Sequence, residues 1–115
     1  MKATTLTSSA TLPGAVTRYL EAANGFDALV AADCFTADAA VRDESRDYLG
    51  RDAIRAWVAE TSGKYRPTFT VMRASTRGDD VSLALAVSGQ FPGSPVTLDY
   101  VLRIHDGKIS TLTIE

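Results

Sequence analysis

The residues best suited to chemistry in this chain lie in the motif VRDE, which ends at Glu44. Side chains alternate along a strand, so Val41 and Asp43 share one face while Arg42 and Glu44 share the other. If Val41 is buried, Asp43 enters the same apolar space, where burial raises the pKa of a carboxyl group and suits it to proton transfer. The alternative is a carboxylate held by backbone N–H groups or by an arginine further along the chain. On this alternation Glu44 is expected to be a surface acid.

A tyrosine is the second candidate, because it lies on the apolar face of a predicted helix. Pro13 suits the start of that helix and Asn24-Gly25 its end. The apolar positions that repeat at helical spacing between them are Val16, Tyr19, Leu20 and Ala23. An aromatic residue on such a face is either a core residue whose hydroxyl finds a partner or part of a pocket wall, and both interpretations stay open.

Metal and redox chemistry have few residues to draw on. His105 is the single histidine and lies beside a predicted turn, and Cys34 is the single cysteine, at the end of an apolar segment. These residues cannot supply a histidine or cysteine cluster, so no metal site is predicted. No Gly-rich phosphate loop is present either, and we expect no cofactor.

Charge and hydropathy narrow the classes of partner. The net charge is −2 and the 12 basic residues are scattered, which argues against nucleic acid. No apolar run approaches the roughly 18 residues that indicate a membrane span. The first residues lack the apolar segment of a signal peptide, so a cytoplasmic protein is expected.

The spacing of apolar residues changes halfway along the chain, from helical spacing to the alternation typical of strands. Three helical patterns and one short strand, residues 39–43, occupy the first half, and the third helix begins near Gly50. Alternating strands joined by tight turns follow from residue 68 onward. Helices followed by an antiparallel meander indicate an α+β fold with the helices on one face of the sheet. We expect a flexible lead-in over residues 1–12 and one domain over residues 13–115.

Three segments give this chain a family resemblance: VTRYLEAANGFDALVAADCFTADAAVRDE, then GRDAIRAWV, then a meander ending in DGKI. Their order and spacing resemble the nuclear transport factor 2-like superfamily. That superfamily includes ketosteroid isomerases, SnoaL-like polyketide cyclases and limonene epoxide hydrolases. The resemblance implies a curved antiparallel sheet wrapped around three helices as a cone with an internal pocket. It also implies a homodimer formed through the outer face of the sheet.

The resemblance assigns roles to three residues. Asp43 matches the general-base aspartate of ketosteroid isomerases, and Tyr19 matches the tyrosine that donates to the developing enolate oxygen. Counting back from Gly107, Asp99 falls on the protonated acid that completes the oxyanion hole of that enzyme, which is a worked example of pKa tuning. The alternating pattern of the strand instead places Tyr100 inside and Asp99 outside, so Tyr100 is the alternative pocket residue.

The expected function is therefore a small cofactor-free enzyme that abstracts a proton next to a carbonyl. Its ligand would be a hydrophobic small molecule. The expected wall residues are Trp57, Val58, Tyr65, Phe69 and Met72. The alternative is a non-catalytic binding or accessory domain, because this fold hosts many functions. An epoxide hydrolase is less favoured, since its arginine has no counterpart on the predicted inner face.

Overall fold

The structure describes residues 12–115 and is a computed structural model. The lead-in predicted over residues 1–12 lies outside this range except for Leu12, which packs against the core. No helix in the described part of the chain combines the length and apolar character that crossing a membrane requires.

Three helices precede most of the sheet. Helix α1 spans Gly14–Asn24 and follows Pro13, whose missing N–H costs nothing at a helix start. Helix α2 spans Ala28–Asp33, and the Asp27 side chain caps it by accepting a hydrogen bond from a backbone N–H of its first turn. Helix α3 spans Arg51–Tyr65 and ends in a residue with a left-handed backbone. The predicted apolar face of α1 is confirmed, because its four residues are buried.

Six strands form one sheet. They are β1 (Phe35–Asp43), β2 (Arg46–Leu49), β3 (Thr68–Arg77), β4 (Asp80–Ser88), β5 (Val96–His105) and β6 (Lys108–Ile114). Their order across the sheet is β2-β1-β6-β5-β4-β3. All neighbouring pairs are antiparallel except β1 and β6, which run parallel.

The fold class is confirmed as α+β, with three corrections of detail. The sheet is mixed rather than wholly antiparallel, because the first and last strands pair in parallel. Strand β1 begins at Phe35, four residues before the predicted start at residue 39. Strand β2 had no prediction, because its four residues carry no apolar alternation and its pairing with β1 comes from the turn that precedes it.

One core lies between the helices and the inner face of the sheet, the face that the helices cover. Every layer contributes a completely buried side chain, among them Val16 from α1, Ile54 from α3, Val41 from β1, Leu85 from β4 and Ile109 from β6. Each side chain of this kind stabilises the fold by roughly 1.5–3 kcal/mol relative to leaving it exposed. The core therefore fixes the helices over the sheet, and it leaves an open cavity at one end.

Candidate functional site

Asp43 is the last residue of β1, and the predicted strand alternation places it correctly. Val41 is completely buried on the inner face, and Asp43, two residues on, is half-buried at the edge of the cavity. The strand then turns into β2, where Arg46 lies opposite Asp43 in the ladder. The carboxylate is thus held by a regular strand rather than by a mobile loop.

The carboxylate of Asp43 has one side-chain hydrogen-bond partner among the described residues. The indole Nε1–H of Trp57 donates to Oδ2 over 3.2 Å. Burial raises the pKa of Asp43, the hydrogen bond from Trp57 lowers it, and the nearby charge of Glu44 raises it, with a net upward shift. Within residues 12–115 no ion pair forms at Asp43, and Arg51 instead donates to the carbonyl of Phe35.

Two tyrosine hydroxyls share this cavity with Asp43. Tyr19 on α1 and Tyr100 on β5 are each only 3% exposed, and both line the cavity. Burial raises both pKa values, that of Tyr100 well above its usual range, and the charge of Asp43 adds to each shift. Because these groups perturb one another electrostatically, they form one cluster. Both hydroxyls remain protonated at neutral pH and can donate hydrogen bonds.

Neither hydroxyl has a protein partner in the described part of the chain. Tyr19 meets Phe35 edge to face at 5.5 Å, and Tyr100 meets Phe69 in the same way at 6.4 Å, so both rings are fixed by packing. No completely buried side-chain oxygen or nitrogen of residues 12–115 lacks a partner. The two hydroxyls therefore face the cavity, where a ligand oxygen could accept from both.

The cavity has a volume of about 360 Å³ and lies between α1, α3 and the inner face of the sheet. Four of the residues predicted as its walls, Trp57, Val58, Tyr65 and Phe69, line it. The fifth, Met72, was predicted wrongly, because it is exposed at the irregularity in β3 and lies outside the lining. Further apolar lining comes from Ala23, Pro67, Val87, Phe91, Pro92, Val96, Leu98 and Ile114. A mostly apolar space with a few converging polar groups is typical of a small-molecule site.

Asp99 does not reach this cavity, so its predicted place in the oxyanion hole is wrong. It pairs with Ala84 of β4 in a ladder without irregularity from Asp80 to Val87, so no bulge turns the side chain inward. It is exposed on the outer face, and its backbone exchanges two hydrogen bonds with Glu115. Arg103, on the same strand, forms an ion pair with Asp80 of β4 at 3.2 Å rather than with Asp99. Alternation puts Tyr100 in the inner position that Asp99 was expected to fill.

Glu44 is exposed, as the alternation argument predicts, but it also lines the cavity, which that argument does not predict. The argument assumed that the strand continues, but β1 ends at Asp43 and a two-residue turn follows. Glu44 and Ser45 have φ values of 53° and 64°, the left-handed pair of a type I′ hairpin. This turn brings Glu44 round to the lining of the cavity. A tight-turn search centred on Asn-Gly would not have found it, because neither residue is a usual one there.

The rim of the cavity is tied to the end of α3. The backbone N–H of Gln90 donates to the carbonyl of Tyr65 over 2.6 Å, and the rings of Tyr65 and Phe91 meet edge to face at 5.9 Å. A side chain added at Gly89 would come within 2.6 Å of the same carbonyl oxygen. Glycine is therefore required where the β4–β5 connection crosses Tyr65.

The two residues considered for metal chemistry lie apart from the cavity. His105 is exposed and contacts Asp106, while Cys34 is buried next to α2. In residues 12–115 no three His, Cys, Asp or Glu side chains come together in a group that could hold a metal ion. The cavity therefore offers the carboxylate of Asp43, whose pKa is raised, the hydroxyls of Tyr19 and Tyr100 as donors, and a second carboxylate from Glu44.

Comparison with known proteins agrees with this architecture. A structure from Sinorhizobium meliloti, for which a polyketide cyclase role has been suggested, is similar with 34% identity and a TM-score of 0.89, over 93% of this chain and 98% of that one. A ketosteroid isomerase-like fold from Catenulispora acidiphila, in complex with trimethylamine, has 24% identity and a TM-score of 0.80, over 91% of this chain and 86% of that one.

A third similar structure is the epoxide hydrolase/cyclase-like enzyme SalBIII, which has a role in pyran ring formation in the polyether salinomycin. It has 22% identity and a TM-score of 0.76, over 87% of this chain and 85% of that one, and shows the fold alone. No curated protein matches the chain. The sequence model of the SnoaL-like domain matches residues 16–112, which span both the helices and the meander. The chain therefore belongs to the SnoaL-like domain family.

Proposed function

We propose that this protein is a cofactor-free enzyme of the isomerase or cyclase type, which moves a proton next to a carbonyl group of a hydrophobic small molecule. One observation carries the proposal: Asp43, with a raised pKa, shares an apolar cavity with two buried tyrosine hydroxyls that have no protein partner in residues 12–115. The similarity to a protein with a suggested polyketide cyclase role supports the same class of reaction.

The proposed reaction uses each of these groups in a separate role. The ligand carbonyl oxygen accepts hydrogen bonds from Tyr19 and Tyr100, which makes the neighbouring C–H more acidic. Asp43 takes that proton as the general base, and negative charge develops on the oxygen between the two hydroxyls. Asp43 then returns the proton to another carbon, or the enolate attacks a second group of the same molecule. In the second case the group attacked is a carbonyl, and Asp43 gives its proton to the alkoxide that forms, so both outcomes restore the Asp43 carboxylate.

The size of the cavity limits the ligand. A protein cavity of about 150 Å³ accommodates benzene, so a volume of about 360 Å³ suits a molecule of roughly two fused rings. Larger ligands would have to extend beyond the rim formed by Phe91 and Pro92. The apolar lining favours a ligand whose carbonyl is its main polar group.

The test is exchange of the acidic C–H protons of a compact bicyclic ketone. With 2-tetralone in D₂O, the wild-type protein should accelerate loss of the α-proton NMR signals over buffer. Asp43→Asn should reduce this acceleration by about 10²–10⁴-fold, the usual contribution of a positioned general base. Asp47→Asn is the matched control, because Asp47 is an exposed acid on β2 that pairs with Arg42 and lies outside the cavity.

Two results would contradict the proposal. The first is unchanged exchange in Asp43→Asn, which would remove Asp43 as the base. The second is wild-type exchange no faster than buffer for a series of one-, two- and three-ring ketones that bind in the cavity. That second result would favour the non-catalytic binding domain, for which the same apolar lining is sufficient.

A further inference from the structure

The charges on the cavity lining all have one sign. Asp43 and Glu44 are its only charged residues, and no lysine, arginine or histidine of the described chain lines it. Two neighbouring cations lie over aromatic rings: Lys64 over Tyr65, itself a lining residue, at 5.1 Å, and Arg46 over Tyr48, which does not line the cavity, at 5.9 Å. The half-buried carboxylate of Asp43 and the exposed one of Glu44 therefore lie at the cavity without a neutralising charge among its lining residues.

Glu44 is held at the cavity by an unusual backbone. Most residues avoid a positive φ, and Glu44 and the next residue both adopt one. The type I′ turn that joins β1 to β2 requires both values, and this turn fixes the position of the Glu44 backbone at the cavity. In residues 12–115 Glu44 takes part in no ion pair that would otherwise account for its position.

The aromatic residues of the cavity wall, like the carboxylates, favour positively charged ligands over negatively charged ones. Six aromatic side chains line the cavity: Tyr19, Trp57, Tyr65, Phe69, Phe91 and Tyr100. The face of an aromatic ring carries partial negative charge and attracts cations within about 6 Å. Independently of the charges, the hydroxyls of Tyr19 and Tyr100, each on a side chain 3% exposed, have no protein partner in residues 12–115 and are free to bond a polar group of a ligand.

We propose that Glu44, together with Asp43, acts as a charge filter, so that the cavity takes neutral or positively charged hydrophobic ligands and rejects anions of the same shape. This inference rests on the proposed function in one respect: both assume that the ligand binds in this cavity. It does not require that any reaction takes place there. It narrows the substrate class to neutral carbonyl compounds and to those that also carry an amine, and it excludes free carboxylic acids. Glu44 is assigned here as a specificity-determining residue.

Three probes of matched shape test the filter. They are 4-tert-butylbenzylammonium, 4-tert-butylbenzyl alcohol and 4-tert-butylbenzoate, which share one apolar body and differ in the charge of the head group. Trp57 is the single tryptophan of the chain and lines the cavity, so its fluorescence reports binding directly. The cation should bind roughly tenfold or more tightly than the anion, with the alcohol between them, and added salt should narrow the difference.

Glu44→Gln should reduce the preference for the cation over the anion roughly threefold or more, because it removes one of the two charges. Glu21→Gln is the matched control. It changes the net charge equally, but Glu21 is exposed on α1 and lies outside the lining. Its preference should equal that of the wild type.

Each other outcome overturns the inference. An anion that binds as tightly as the alcohol would show that there is no filter. A preference that survives in Glu44→Gln, or that falls equally in Glu21→Gln, would show that Glu44 does not set it. If none of the three probes alters Trp57 fluorescence, and none displaces 2-tetralone in an NMR binding experiment, the cavity does not take such ligands. These measurements need no turnover, so they test the charge filter independently of catalysis. An inactive protein can still show the preference for the cation, and an active one can lack it.

Discussion

Asp43 and Asp99 are the same residue type on two strands of one sheet, and the family resemblance assigns both to one active site, Asp43 as the general base and Asp99 as the acid of the oxyanion hole. Asp43 is the last residue of β1 and lies on the inner face, where it is half-buried and accepts a hydrogen bond from Trp57. Asp99 lies in the middle of β5 on the outer face, exposed and bonded only through its backbone to Glu115. A shift of one residue along a strand exchanges these environments. Whether an aspartate in this fold can take part in chemistry at the cavity therefore depends on which side of the sheet it faces.

The largest difference between the two faces should appear in stability. Leu102 on the inner face is 1% exposed, whereas its neighbour Val101 on the outer face is 43% exposed. Leu102→Ala should lower the free energy of unfolding by about 3 kcal/mol, because it leaves a cavity in the core. Val101→Ala should cost less than about 1 kcal/mol. Chemical denaturation of both variants measures this, and equal losses would contradict the assignment of faces.

The adjacent residues Tyr100 and Asp99 test the same difference between the inner and outer faces through the rate of proton exchange. Tyr100→Phe removes one of the two hydroxyl donors and should slow proton exchange in 2-tetralone roughly a hundredfold. Asp99→Asn changes a residue that has no access to the cavity, and exchange should stay within about twofold. The same NMR assay measures both. A larger loss in Asp99→Asn than in Tyr100→Phe would restore Asp99 to the site and reverse the comparison.

Much of this comparison could be predicted from the sequence, because alternation depends only on local geometry. The strand patterns placed Val41 and Tyr100 inside, and the helical spacing placed Tyr19 on the buried face of α1. The same strand pattern favoured an outer position for Asp99, and the count from Gly107 that gave an inner one failed because it assumed the spacing of another protein. Local pattern was the better guide wherever the two disagreed.

The rest could not be predicted, because it depends on where a strand stops and what pairs with it. Glu44 reaches the cavity through a left-handed turn that its own residue type does not favour. Strand β2 has no apolar alternation and is held by its pairing with β1. The parallel pairing of β1 with β6 joins distant parts of the chain, and no short-range pattern encodes such a contact.

The outer face gives the next prediction. The proposed homodimer through this face has exposed apolar side chains available, Met72 at 61% and Val101 at 43% exposure. Val101→Lys would place a charge in such an interface and should weaken dimerisation at least tenfold. Light scattering after gel filtration measures the mass over a concentration series. A wild-type protein that stays monomeric at high concentration would contradict the proposed dimer.

The smallest expected effect is a dependence of stability on pH. Because the folded pKa of Asp43 is raised above its ordinary value of 3.8, the folded state holds this proton more tightly than the unfolded state. The contribution of Asp43 to stability therefore falls as pH rises from about 3.8 through the folded pKa. Asp43→Asn should be more stable than the wild type at neutral pH, and this gain should disappear in acid.

Thermal unfolding from pH 3 to pH 8 measures the gain. Asp99→Asn serves as the control for the change in net charge, because its side chain is exposed on the outer face. A destabilised Asp43→Asn at neutral pH would show that the hydrogen bond from Trp57 outweighs the cost of burying the carboxylate.

The parallel pairing of β1 and β6 has a consequence for how the site comes into being. Asp43 is carried by β1, while Tyr100 is carried by β5, and β6 is the strand that lies between them in the sheet. On a ribosome the helices and the β3–β4–β5 meander can form early, but β1 has no strand through which to join that meander until β6, residues 108–114, emerges. Contacts so distant in sequence slow folding, because the intervening chain must be ordered first. Assembly of the cavity is thus a late event, and shortening the last strand should uncouple Asp43 from Tyr100 before it unfolds the helices.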